Sequence, residues 1–126
     1  MRILIVDDSA MMRAMIRRVV GLADVPVDEI LEAANGMEAL AILESCDVQW
    51  LFTDINMPVM NGAELLREIA RRDKWRELGK VIISTDGSST RREEAAALDV
   101  HWYLEKPFSP EVLRDVLTEV VGTGRS

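Results

Sequence analysis

The sequence is poor in the residues that carry several common chemistries. It has a single cysteine, Cys46, so no disulfide can form within the chain, and the pattern reads as that of a cytoplasmic protein. One histidine, His101, beside that one thiol gives no Cys/His cluster of the kind a zinc site needs. There is no Gly-rich phosphate loop, which argues against a P-loop nucleotidase. No apolar run approaches the ~20 residues that a membrane-spanning helix requires. The N-terminus is unlike a signal peptide, because Met1-Arg2 leads into a short apolar run closed by Asp7-Asp8. Cations are outnumbered, with 15 Lys and Arg against 22 Asp and Glu, for a formal net charge of -7. Such a chain repels nucleic acid and anionic membrane, so neither is an expected partner.

What remains fits one globular domain of 126 residues, with no internal repeat or low-complexity segment. Ile3 to Val6, an unbroken apolar run rich in β-branched residues, reads as a strand buried on both faces. A helix follows, with Met11, Met12, Met15, Ile16, Val19 and Val20 on one stripe and Arg13, Arg17 and Arg18 towards water. Further strands are expected at Glu29 to Ala33, Val48 to Thr53, Lys80 to Ser84 and Trp102 to Leu104. Helices are expected at Met37 to Leu43, Ala63 to Arg72, Thr90 to Leu98 and Pro110 to Val121. In the last of these Val112, Leu113, Val116, Leu117, Val120 and Val121 form the apolar stripe. Asn35-Gly36, Asn61-Gly62 and Asp86-Gly87 read as turns or loops. Strict alternation of strand and helix implies right-handed β-α-β units and a parallel α/β sheet covered on both faces.

In such a sheet, ligands bind outside the carboxyl ends of the strands, where the strand order reverses. The expected strand ends carry Asp7-Asp8, Asp54, Ser84-Thr85 and Lys106. Three converging carboxylates repel one another, and a hard divalent cation with oxygen ligands, Mg²⁺, relieves that repulsion. Lys106 neutralises part of the remaining charge. A carboxylate, Mg²⁺, a hydroxyl and a lysine are the groups needed to stabilise a transferring phosphoryl group.

The residues Asp7-Asp8, Asp54-Ile55-Asn56-Met57-Pro58, Gly62, Ser84 and Lys106-Pro107-Phe108 resemble the receiver domain of two-component response regulators over essentially the whole chain. Val6-Asp7-Asp8-Ser9 followed by Met12-Arg13 is most similar to the stand-alone, chemotaxis-type members. The resemblance implies a flavodoxin-like doubly wound fold with strand order 2-1-3-4-5. It places the receiver in residues 1–122 and a tail in 123–126. It also implies that Asp54 accepts a phosphoryl group from a sensor histidine kinase or phosphotransfer protein. Asp8 and Asp54 would ligate Mg²⁺ by side chain and Asn56 by backbone carbonyl, with Asp7 helping directly or through water. Lys106 would bond the acyl phosphate and precede a cis Pro107. The family's spacings favour Ser84 over Thr85 as the switch hydroxyl, and Tyr103 matches the aromatic that moves inward on activation. The protein would be a monomer that catalyses only its own phosphotransfer and dephosphorylation, and a downstream protein would read the result.

Two departures concern the output side. Leu98-Asp99-Val100 stands where the family usually has Ala-Gly-Ala, and Trp102 stands beside Tyr103 where a small or polar residue is usual. Other readings differ in class. A haloacid-dehalogenase-like phosphatase also uses Asp, Mg²⁺ and Lys, but usually has a second Asp where this chain has Asn56. A receiver-like docking module would work without phosphate. Trp75 and Trp102 read either as partner-facing or as half-buried aromatics, His101 as structural or surface, and Arg71-Arg72 and Arg91-Arg92-Glu93-Glu94 as solvated faces.

Overall fold

The computed structural model describes residues 1–85 and 88–122, the side chains of residues 89–91 excepted. The loop expected at Asp86-Gly87 and the tail expected at 123–126 therefore lie outside the described residues. The strands are β1 (Arg2–Val6), β2 (Glu29–Ala33), β3 (Trp50–Thr53), β4 (Gly79–Ser84) and β5 (Trp102–Glu105). The helices are α1 (Ala10–Leu22), α2 (Gly36–Ser45), α3 (Gly62–Ala70), α4 (Ser89–Ala97) and α5 (Pro110–Val120). All strand pairs are parallel, in the order β2-β1-β3-β4-β5. This is the doubly wound α/β architecture expected from the alternation.

Burial on both faces explains why β1 and β4 read as continuous apolar runs. Ile3, Ile5, Phe52, Val81 and Ile83 pack on one side against α1 and α5 through Ile16, Val19, Leu113 and Leu117. Leu4, Val6, Leu51 and Ile82 pack on the other against Ala39 and Leu43 of α2, Leu65, Leu66 and Ile69 of α3, and Ala95 of α4. Both helical stripes are narrower than the sequence pattern suggests. Met11 and Val112 are exposed, at 82% and 43%, because adjacent residues lie about 100° apart on a helix and Met12 and Leu113 take the inward positions.

Other differences have local causes. The third strand begins at Trp50 rather than Val48. The third helix stops at Ala70, and Arg72 turns to extended backbone before a 3₁₀ turn, Asp73–Trp75, that seats Trp75 partly against the core. Asn35-Gly36 and Asn61-Gly62 are helix starts, not free turns. The Asn35 side-chain Oδ1 accepts from the Glu38 N–H, and Asn61 and Glu64 form a reciprocal capping box. Gly122 ends α5 with a φ of 80°.

The loop between β3 and α3 is held at both ends. The Gly62 N–H donates to the Ile55 carbonyl at 2.8 Å, and the Gly36 N–H donates to the Met60 carbonyl at 3.0 Å. Val59, between these ties, has a φ of 69°, a conformation that costs an L side chain about 1–2 kcal/mol. A Cβ at Gly62 would lie 2.1 Å from the Asp54 carbonyl oxygen, closer than any atoms can pack. Gly62→Ala should thus lose about 1–3 kcal/mol of stability in urea unfolding and shift the amide resonances of residues 54–56. An unchanged midpoint would mean that the contact relaxes freely.

Candidate functional site

The strand order reverses between β1 and β3, and Asp7-Asp8 and Asp54 follow those two strands directly. The sheet thereby sets three carboxylates side by side at its carboxyl edge. One oxygen from each of Asp7, Asp8 and Asp54 lies within 4.8 Å of the others. Asp7 and Asp54 are buried, at 2% and 8% exposure, and Asp8 is exposed. Each buried acid is fixed by a backbone donor. The Ser9 N–H reaches Asp7 Oδ1 at 2.9 Å, and the Ile55 N–H reaches Asp54 Oδ1 at 2.7 Å.

Lys106 enters from the end of β5. Its Nζ donates to Asp7 Oδ2 at 2.8 Å and to Asp54 Oδ2 at 3.2 Å. Burial alone would depress the ammonium's pKa. The Asp7 hydrogen bond and the charges of Asp54 and Asp7 outweigh it, and the net shift is upward. The Lys106 N–H also donates to the Ser84 carbonyl at 2.7 Å, and the Lys106-Pro107 peptide is cis.

The remaining predicted residues fall around this centre. Ser84 is fully buried at the end of β4, whereas Thr85 is exposed. Asn56 is exposed in the loop that follows Asp54. Tyr103 is half-buried on β5, one strand end away, with the Arg92 guanidinium 4.7 Å from its ring centre. Arg92 in turn reaches Glu105 at 3.3 Å, so at least one member of the arginine pair expected to be merely solvated covers the aromatic. Trp102 is 40% exposed beside it. His101 lies apart from the acids; its Nδ1 accepts the Lys80 N–H at 3.1 Å, a structural contact.

One residue near the site was read from the sequence only as solvent-facing. Arg13 Nη1 donates to the Asp7 carbonyl at 2.6 Å, and its Nε pairs with Glu32 at 2.9 Å. It holds the backbone of the acidic pair from α1. A signal was present in the sequence, an arginine one helical turn after the Ser9 cap, but nothing there shows which carbonyl it meets.

The donor set suits a hard cation. All three side chains offer carboxylate oxygens, the ligands Mg²⁺ prefers, and exposed Asp8 leaves an approach from solvent.

With this geometry in hand, the comparisons with known proteins agree. Residues 3–118 match the response regulator receiver domain, and the chain belongs to that family of two-component signalling receivers. It is 38% identical over 125 residues to a chemotaxis protein CheY homolog of Campylobacter jejuni, covering 98% of this chain and 95% of that one. It is 36% identical to chemotaxis protein CheY1 of Helicobacter pylori over 98% of each chain. The structure of the chemotaxis response regulator CheY4 of Vibrio cholerae superposes with a TM-score of 0.84 at 31% identity, covering 94% of this chain and 97% of that one. The family is one of signalling receivers rather than classical enzymes. Among the described residues, no helix is long and apolar enough to cross a membrane.

Removing the ammonium leaves two buried carboxylates facing each other. In metal-free buffer at neutral pH, Lys106→Met should lose about 1–3 kcal/mol of stability. The deficit should shrink as acid protonates the pair, since uncompensated like charges raise carboxylate pKa values. In the parent the sign is different. A lysine whose folded pKa lies above the unfolded value of 10.5 contributes fully below that pH and loses its contribution only as pH rises through the folded value. Denaturation midpoints of both proteins across pH 5–8, a range chosen around the usual stability maximum, check this. A deficit that stays constant or grows towards acid would refute the repulsion.

Proposed function

We propose that Asp54 accepts a phosphoryl group from the phosphohistidine of a sensor kinase or phosphotransfer protein, in a Mg²⁺-dependent reaction that alters a protein-binding face. The observation that carries this reading is the shared lysine: Lys106 bonds one oxygen of Asp54 while Asp7 and Asp8 stand within 4.8 Å. An Asp54 carboxylate oxygen attacks phosphorus, the P–O bond forms, and the P–N bond to the donor imidazole breaks. The imidazole leaves with that electron pair and takes up a proton. Lys106, already charged, is placed to bond the phosphoryl oxygens without further reorganisation. Asp8 and Asp54, with the Asn56 carbonyl, are the residues that would hold Mg²⁺, Asp7 helping directly or through water. When bound, the ion supplies positive charge against the phosphoryl oxygens and orients them.

Ser84 is the switch hydroxyl of this proposal, and Tyr103 moves into the space that Ser84 vacates. The α4–β5–α5 face is then biased towards a second state, with the acyl phosphate acting as the ligand that selects it. The Arg92–Tyr103 stack and the Arg92–Glu105 contact give the resting state specific interactions to lose. A downstream protein reads the change. The relatives' names make chemotaxis the setting favoured by this proposal. The protein works in the cytoplasm as a monomer, apart from nucleic acid and membrane, and clears its own phosphate by hydrolysis. Residues 1–122 make up the working unit.

Two measurements test the centre. Asp54→Asn should take up no label from acetyl phosphate with Mg²⁺ under conditions that label the parent fully; retained label on the intact fold removes Asp54 from its role. Asp8→Ala should bind Mg²⁺ at least about tenfold more weakly by titration calorimetry. Equal affinity would mean that the cation lies elsewhere.

A further inference from the structure

At the opposite end of the sheet from the acids, Lys80 is the second residue of the fully buried strand β4. It pairs in register with Leu51 and is only 4% exposed. Its side chain shares the face of Ile82, so its stem runs beneath α3 and α4, beside Ile69 and Leu98. Its side chain lines two adjoining clefts, which exposed Arg76 and Asp99 also line. No hydrogen bond or ion pair to its Nζ is found among the described residues. Burial pushes the lysine's pKa down, and the charge of Asp99 only partly offsets this. A lysine stem often lies along apolar surface with its head in water. Here the head shares its cleft with three arginines.

One of the two clefts, of about 270 Å³, lies between the end of α3, the 3₁₀ turn and the α4–β5 turn. Arg71, Arg72, Arg76 and Lys80 line it, against Asp73 and Asp99. Glu68 holds Arg71 at 2.7 Å and Arg72 at 3.7 Å, and Asp73 lies 3.5 Å from Arg76. The arginines therefore have ion-pair partners, whereas Lys80 has Asp99 only as a nearby charge without a direct bond. Trp75 forms another wall, with the Arg72 guanidinium 5.1 Å from its ring centre. Arginine forks match phosphate oxygens bidentately, and an ammonium beside them adds a point charge to the same anion.

We propose that this cleft binds a small phosphate-bearing anion, with Lys80 as its innermost ligand and Arg76 at its mouth. The site lies on the far end of β4 from Ser84 and is independent of phosphorylation at Asp54. A ligand there would give Lys80 the directly bonded counter-charge that Asp99, lining the same cleft without an ion pair to it, does not.

Inorganic pyrophosphate is the probe, titrated at constant ionic strength in metal-chelated buffer with chloride as the reference anion. Trp75 emission and backbone amide shifts are followed together. The expected result is saturable binding with a Kd of about 1 mM or tighter, with shifts at Lys80, Asp99 and the Trp75 indole. Lys80→Met should weaken it at least about tenfold, and Arg76→Gln should weaken it as well. Both variants should still take label at Asp54 from acetyl phosphate, which verifies their fold. Absence of saturation, equal affinity in both variants, or shifts confined to the carboxyl edge around Lys106 would each overturn the proposal. If Lys80→Met does not fold, Arg76→Gln and the map of shifts in the parent decide on the same terms.

Discussion

The carboxyl edge of this protein depends on one ammonium held between two buried carboxylates. Asp7 and Asp54 are brought together by adjacent strands, and neither has enough water to screen its charge from the other. Lys106 makes the arrangement tolerable, and the arrangement in turn keeps Lys106 charged. The backbone around it serves the same end. The Lys106 N–H ties β5 to the Ser84 carbonyl, and Arg13 ties α1 to the Asp7 carbonyl. Charge balance at this point thus connects the ends of β1, β3, β4 and β5 with α1.

The scaffold gives that centre its precision. Asp54 leaves β3 into a loop that two backbone hydrogen bonds hold against the starts of α2 and α3. Gly62 allows α3 to approach the Asp54 carbonyl more closely than any side chain would permit. Strain at Val59 stays within the same short segment. A carboxylate on a pinned loop keeps its orientation while exposed Asp8 beside it remains open to solvent. The opposite pole of β4 follows a different rule, for there a lysine is buried with no directly bonded counter-ion among the described residues.

Much of this was legible in the sequence, for identifiable reasons. Short β-branched runs interrupted by Asp, Ser or Lys gave the strands and the polar set at their ends, because a doubly covered parallel sheet requires apolar runs and permits polar residues only where they stop. The parallel architecture followed from the alternation, and the pairing of β1 with β3 put Asp7 and Asp54 together. The sequence pattern was weaker where several outcomes share one signal. Asn-Gly marks a turn or a helix cap, and here both pairs with defined neighbours cap helices. Adjacent apolar residues, such as Met11 with Met12 or Val112 with Leu113, do not show which one faces inward. The 3₁₀ turn at Asp73–Trp75 depends on Arg72 leaving helical geometry, which no local propensity dictates. The contacts of Arg13, Arg92 and Lys80 are set by tertiary neighbours, and charged residues in a helix or strand pattern are silent about those.

The long reach of the Lys106 contacts has a consequence for how the protein comes into being. Asp7 and Lys106 are 99 residues apart in sequence, and Asp54 and Lys106 are 52 apart. Ribosomes deliver the chain from the N-terminus at about 5–20 residues per second. For several seconds, then, a nascent chain holds all three aspartates and the first three strands with no counter-charge for them. The early half has its acids but lacks the lysine that lets two of them share a buried edge. Completion of the site therefore coincides with the near-completion of the domain, so that partly made chains lack the lysine that both buried acids share.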